Sequence, residues 1–279
     1  TVRVAQSADT EITVPMIVSG YGHTLALRAD GTVWAWGDNT YGQLGDGTYG
    51  TSNVDKFVPR QVRIGQNESN TKLLTNIKYV AAGANSSAAI DQDGLLYVWG
   101  NNDNGQLGVD GKIVAYPTLV EALKDNPATP NADETILVSA VELSESHTII
   151  IDALTKRAYT WGKNDHNQLG YQQSILNNGK PMTSPSTENY AKEAHLVTRD
   201  KGDLNFLEVA SGKNHSVGIV IPASEAETAT QGTVYAWGDN TYGQLGQNTS
   251  GSSSAVLQAV KKSNGESITN AVAVAAADN

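Results

Sequence analysis

The pattern W-G-x-N-x-x-x-Q-L-G recurs four times along the chain. It reads WGDNTYGQLG at residues 36–45, WGNNDNGQLG at 99–108, WGKNDHNQLG at 161–170 and WGDNTYGQLG again at 237–246. The first and last copies are identical over all ten residues, and the tryptophans are separated by 63, 62 and 76 positions. Self-similarity at a period of this size marks a chain built from repeated structural units. Matched segments precede each copy: VSGYGHTLALRADGTVWAWG (18–37), AAGANSSAAIDQDGLLYVWG (81–100), SHTIII followed by KRAYTWG, and ASGKNHSVGIV followed by GTVYAWG.

The alternation of apolar with small or polar residues in HTLAL and TVWAW fits half-buried strands of period two. Asp30-Gly31 and Asp93-Gly94 fall between two such runs, where a two-residue hairpin requires positive φ. One repeat therefore reads as strand, tight turn, strand and Trp-Gly corner, followed by a further strand such as PRQVRI at 59–64. The only helix expected is a short one near 119–125. Gly37, Gly100, Gly162 and Gly238 follow the tryptophans, where close backbone approach or an unusual φ is expected. Gly42, Gly105 and Gly243 share a second position that Asn167 takes in the third copy; Asn tolerates the left-handed region best after Gly, so positive φ is expected there. Gln43, Gln106, Gln168 and Gln244 are placed to satisfy backbone groups of the bend. Leu44, Leu107, Leu169 and Leu245 are expected to plug into the core between units. Gly45, Gly108, Gly170 and Gly246 close the motif.

Composition narrows the chemistry. Lys and Arg number 19 against 29 Asp and Glu, a net charge of −10, which argues against binding a phosphate backbone. The absence of cysteine excludes a disulfide framework, a thiol nucleophile and cysteine-bound zinc. No apolar run reaches the roughly 20 residues of a membrane span, and no charged-then-apolar leader opens the sequence. No G-x-S-x-G, P-loop or H-E-x-x-H occurs. Asp91-Gln92-Asp93-Gly94 opens like a calcium loop but lacks its later acidic positions, so a hairpin turn explains it better. Four N-glycosylation sequons begin at Asn67, Asn85, Asn214 and Asn248, and so short a pattern carries little weight.

With its G-x-x-H-T-x-A-L, D-G-x-V-x-x-W-G and N-x-x-G-Q-L-G segments, the repeat resembles the regulator-of-chromosome-condensation repeat, most closely in its prokaryotic secreted or surface members. The resemblance covers nearly the whole chain. It implies an all-β β-propeller of four-stranded antiparallel blades, with four full blades and two part-blades forming a window of a seven-bladed propeller. The expected divisions within one domain, 1–279, are a part-blade at 1–14, blades at 15–66, 76–125, 135–200 and 205–262, and a part-blade at 267–279. The window follows from the ends: residues 1–5 align with a last strand and ITNAVAVAAADN with a first strand. An open arc completed by another subunit and a compact four-blade ring are the alternatives. The family's histidine falls on His23, His147 and His215, with Ser86 in the second copy. A glycine three residues earlier is Gly20, Gly83 and Gly212, with Ser144 in the third. The histidines are expected to hydrogen-bond between strands, and Trp36, Trp99, Trp161 and Trp237 to pack the blades. Tyr97, Tyr159 and Tyr235 take the position of Trp34.

The function implied is a non-enzymatic scaffold in a larger secreted or cell-surface prokaryotic protein, binding another protein or a surface glycan. Loops rich in Ser, Thr, Asn, Gly and Pro at 46–58, 109–134, 171–204, 222–232 and 247–266 are where recognition resides on such a scaffold. One bacterial relative inhibits β-lactamases through aromatic side chains on a propeller face, which makes Tyr41, Tyr49 and Tyr242 candidate contacts. A structural subunit of a surface layer, filament or adhesin is a further alternative, and guanine-nucleotide exchange ranks last. No cofactor, metal, catalytic residue or nucleic-acid partner is expected.

Overall fold

The computed structural model describes residues 13–51, 57–65, 72–123, 135–170, 176–177, 180–181, 190–199 and 202–277. Four four-stranded antiparallel sheets carry the described fold, each with its strands hydrogen-bonded in sequence order. Sheet 1 runs Met16–Ser19, His23–Leu27, Val33–Gly37, Arg60–Gln61. Sheet 2 runs Ile77–Ala82, Ser86–Asp91, Leu96–Asn101, Ile113–Leu119. Sheet 3 runs Val138–Leu143, His147–Asp152, Ala158–Lys163, Tyr190–Leu196. Sheet 4 runs Asn205–Ser211, His215–Ile221, Thr233–Asn240, Gly251–Ala259. This is the all-β, four-stranded blade architecture expected of the repeat. The chain divides into two compact units, Thr1–Asp103 with Gly111–Val120, and Asn104–Asp110 with Glu121–Asn279.

The register is the same in all four sheets: His23, Ser86, His147 and His215 each lie opposite the glycine after the tryptophan. That glycine has φ between +100° and +108° in every copy. The reason is steric. A Cβ at Gly162 would lie 2.5 Å from Ser146 O and 2.8 Å from His147 Cα, and the other three positions are as tight. At the second corner position Gly42, Gly105, Gly243 and Asn167 all have positive φ, with Asn167 at +62°. The lone asparagine thus holds the same bend as the glycines it replaces.

Several details differ from the sequence reading. The Asp-Gly hairpins are not two-residue turns. Arg28 N–H donates to Thr32 O and Gly31 N–H to Arg28 O, so three residues form the loop and only the glycine, at φ +74°, is left-handed. Asp91, Leu95 and Gly94 repeat the arrangement. This is a type I turn closed by a left-handed residue, which leaves the aspartate in ordinary backbone space. In sheet 3 the loop is one residue longer and Lys156 supplies the left-handed residue at φ +58°. PRQVRI is not one strand: Arg60–Gln61 closes sheet 1, Val62 turns into the core, and Arg63–Ile64 pairs with Lys72–Leu73. The helix near 119–125 is a single 3₁₀ turn, Glu121–Leu123. Residues 267–277 form bridge pairs through Lys261↔Ser267 and Gly232↔Ala271 and no regular strand. Residues 1–12 of the first part-blade, the Asn67 sequon and half of the 171–204 loop lie outside the described residues.

Period-two burial holds only in sheet 1. His23–Leu27 alternates buried and half-buried, whereas every residue of Ser86–Asp91 and His147–Asp152 is buried. A strand covered on one face needs an apolar residue only at alternate positions, while a strand covered on both needs them throughout. In sheet 4 the core includes Ile219, Trp237 and Leu257, with Phe206 meeting Trp237 edge to face at 6.3 Å.

Candidate functional site

The corner between the third and fourth strands is built from its own conserved-in-repeat polar side chains. Gln43 Oε1 accepts from Tyr41 N–H at 2.8 Å, and Gln106, Gln168 and Gln244 do the same for Asn104, His166 and Tyr242. Asn39 Oδ1 accepts from Leu44 N–H, and its amide donates to Thr48 O at 3.0 Å. Asn164 and Asn240 hold Leu169 and Leu245 in the same way. The asparagine was visible in the motif, yet its role was not assigned from sequence; its recurrence beside each Trp-Gly was the available signal. Asp38 and Asp239 complete the first and fourth corners by accepting from Thr40 and Gln43, and from Thr241 and Gln244. We expect Asn39→Ala to cost about 2 kcal/mol in urea unfolding, because it strands a buried Leu44 N–H and removes an amide bond.

The first three corners are each locked onto the next sheet. Gln43 O accepts from Trp99 Nε1–H at 2.9 Å and from Ser87 Oγ–H at 2.8 Å. Gln168 O accepts from Trp237 Nε1–H at 2.9 Å and from Ser216 Oγ–H at 3.1 Å. Gln106 O accepts from Thr148 Oγ1–H at 2.5 Å, while Trp161 Nε1 is buried without an acceptor among the described residues. Leu44, Leu107, Leu169 and Leu245 are all buried, as expected.

The histidines extend these locks. His23 Nε2 meets Ser87 Oγ at 2.9 Å, and His147 Nε2 meets Ser216 Oγ at 2.9 Å. Each serine gives its proton to a corner carbonyl, so it accepts from the imidazole, and both rings carry their proton on Nε2. In the third repeat Ser144 Oγ lies 2.7 Å from His147 Nδ1. Gly20 and Gly212 take that position elsewhere, where a Cβ would run into the ring of His23 or His215. Burial holds the pKa of His23 down at about 4 and that of His147 at about 3, and lowers that of His215. Asp38 opposes the shift at His23, and neighbouring His215 adds to it at His147.

A depressed folded-state pKa stabilises the protein above the unfolded value of 6.5 and loses that stability as pH falls from 6.5 towards about 4. Between pH 7.5 and pH 5 each of the two buried rings is expected to cost the folded state about 2 kcal/mol. Urea titrations at these pH values test this, and His147→Asn should flatten the slope.

The candidate contact tyrosines sit on the corners. Tyr49 and Tyr242 are 62% and 76% exposed, and Tyr41 is half-buried. Tyr21 and Phe57 are exposed aromatics that the repeat pattern did not single out. His166 pairs with Asp165 on the surface of the third corner. Among the described residues no group of three or more His, Asp or Glu is placed to hold a metal ion.

The pattern that defines the Regulator of chromosome condensation (RCC1) repeat matches residues 30–90, 93–151, 157–219 and 231–279. Protein pim1 of Schizosaccharomyces pombe is 26% identical over 85% of this chain and 40% of its own length. Guanine nucleotide exchange factor SRM1 of Saccharomyces cerevisiae is 27% identical over 81% and 41%. Ultraviolet-B receptor UVR8 of Arabidopsis thaliana is 27% identical over 84% and 43%. Among solved structures, Prp20p of Saccharomyces cerevisiae superposes with a TM-score of 0.70 at 23% identity, covering 97% of this chain and 55% of that one. The chain thus spans about two fifths of the curated relatives it matches, and the superposition establishes the β-propeller blade fold.

Proposed function

The chain belongs to the regulator of chromosome condensation (RCC1) repeat family, and from that premise we propose that it is a non-enzymatic scaffold that binds another protein through its blade corners. One observation carries the reading. Each corner is held rigid by its own Gln and Asn side chains, and the first and fourth project Tyr49 and Tyr242 into solvent. Rigid, half-apolar side chains of this kind anchor protein interfaces. Burial keeps His23 and His147 uncharged at neutral pH, and both are occupied in holding sheets together. The proposal extends to a secreted or cell-surface setting and to a glycan as the alternative ligand, supported by the Ser-, Thr- and Asn-rich loops and the lack of cysteine.

The test is retention of a partner from the source cells by the immobilised chain and by a Tyr49→Ala/Tyr242→Ala variant. We expect the variant to melt within about 2 °C of the parent, since neither ring is buried, and to lose retention by tenfold or more. Equal retention overturns the reading. Likeness to SRM1 favours a second one, guanine-nucleotide exchange. Release of labelled GDP from a small GTPase, accelerated by catalytic amounts of the chain, would establish that activity, and an unchanged rate would remove it.

A further inference from the structure

The first and fourth corners share ten identical residues and part company directly after them. Asn39, Asn102 and Asn240 each donate a side-chain amide hydrogen to a carbonyl nine residues on, that of Thr48, Gly111 and Thr249. The residue before that carbonyl is therefore equivalent in the three corners: Gly47, Asp110 and Asn248. Gly47 has φ +86° and is closed over, since a Cβ there would run into the hydroxyl and ring of Tyr116. Asn248 is also left-handed, at φ +58°, yet it is exposed, as is Asp110. Asparagine enters that region at little cost, so the fourth corner keeps the bend and adds an outward amide.

Asn248-Thr249-Ser250 is a sequon, and it differs in kind from the other two among the described residues. Asn85-Ser86-Ser87 and Asn214-His215-Ser216 run into the second strand of sheets 2 and 4. Their hydroxyls are buried and committed. Ser87 Oγ–H donates to Gln43 O at 2.8 Å and Ser216 Oγ–H to Gln168 O at 3.1 Å, and each oxygen accepts from a histidine. Asn85 and Asn214 are half-buried, and their carbonyls accept from Asn101 N–H and Asp239 N–H at 2.9 Å. A sugar-transferring enzyme reads the asparagine together with the hydroxyl two residues on, and at these two sites it would have to undo a lock between sheets. At the fourth corner Asn248, Thr249 and Ser250 are all exposed. The Asn248 amide gives one hydrogen to Lys262 O at 3.3 Å, and its second hydrogen is the one a sugar replaces.

We propose that Asn248 is a site of N-linked glycosylation, with a lipid-linked oligosaccharide as the donor. Nδ2 of Asn248 attacks the anomeric carbon of the first sugar. A C–N bond forms as the C–O bond to the lipid diphosphate breaks, and the amide gives up to the transferase the proton that is not bonded to Lys262 O. Such transfer acts on exported chains, so the site stands on the extracellular setting proposed above. The sugar takes its place at the tip of the corner. A Cβ at Gly243 would lie 3.6 Å from Thr249 O, so residues 248–250 run beside the segment that carries Tyr242, which is 76% exposed. A glycan on Asn248 shields that ring. Attached carbohydrate is bulky and suits a surface position, and the exposure of Asp110 in the second corner shows that an outward side chain is compatible with the same bend.

The test isolates the protein from its source cells, keeping material outside and inside the cells apart. Its peptides are sequenced by mass spectrometry with electron-transfer fragmentation, which leaves a sugar on its residue. The expected result is an oligosaccharide on Asn248 of the external protein, with Asn85 and Asn214 bare. Ser250→Ala should abolish the modification and Thr249→Ala should keep it; both side chains are exposed, so both variants fold. External protein with Asn248 bare overturns the site and leaves the setting standing. Protein found only inside the cells, and bare, overturns the setting and the site with it. Sugar on Asn85 or Asn214 overturns the selection of Asn248 by burial.

Discussion

Gly162→Ala is expected to destabilise the protein by more than about 4 kcal/mol, enough to unfold it at ambient temperature in low urea. Two costs add. At φ +104° an alanine occupies backbone space that L-residues rarely adopt, worth about 1–3 kcal/mol. Its Cβ also meets three backbone atoms, Ser146 O at 2.5 Å, His147 Cα at 2.8 Å and Gln106 Cα at 3.2 Å. Backbone of a paired strand has no rotamer to move aside, so either the sheet or the corner must shift. Gly50→Ala separates the terms. It has φ +101° with no atom within 4 Å of a new Cβ, and so should show the conformational cost alone. Urea midpoints measured side by side decide the matter: equal losses at the two sites would mean that close approach contributes nothing.

Trp237→Ala carries the second large effect. The ring is fully buried in a core cluster shared by sheets 3 and 4, packs edge to face on Phe206, and donates to Gln168 O. Truncating a buried Trp costs about 3–5 kcal/mol, and Gln168 O loses one of its two donors. Trp237→Phe should recover part of the packing and none of the hydrogen bond. Trp36→Ala is the contrast, because its ring is only half-buried and its loss should cost about 1–2 kcal/mol. The three variants, compared by urea unfolding, separate burial from motif membership. If Trp36→Ala proves as damaging as Trp237→Ala, the tryptophan of the motif matters for a reason internal to its own sheet.

The corners were legible because their chemistry is local. Gln43 reaches two residues back to Tyr41, and Asn39 five residues on to Leu44, so repetition of those spacings is repetition of the hydrogen bonds themselves. Asn167 announced its left-handed backbone for the same reason. The locks were less visible. Ser87, Thr148 and Ser216 each follow the motif histidine or its substitute, yet their partners lie 42 to 48 residues away, beyond any window in which periodicity speaks. Whether a strand is covered on one face or two was hidden as well. HTLAL and HTIIID differ in that one is half-buried on one face and the other is buried on both, and no single repeat contains that fact. The hairpin loops failed on a finer point. Asp-Gly fits both a two-residue and a three-residue loop, and the choice rests on whether Ala29 or Arg28 lies opposite Thr32. Tyr49 and Tyr242 are exposed because a corner held by its own side chains needs nothing from the ring at its tip.

The identity of the first and fourth corners has a genetic reading. Every repeat carries the residue types of both halves of the lock, a Gln that faces forward and a Ser or Thr with a Trp that face back. Crossing over between the stretches that encode WGDNTYGQLG at 36–45 and 237–246 would delete or duplicate three whole repeats without a frame error. A gene of this kind can change the number of its blades in one event and leave the ten residues of the corner at the join unaltered.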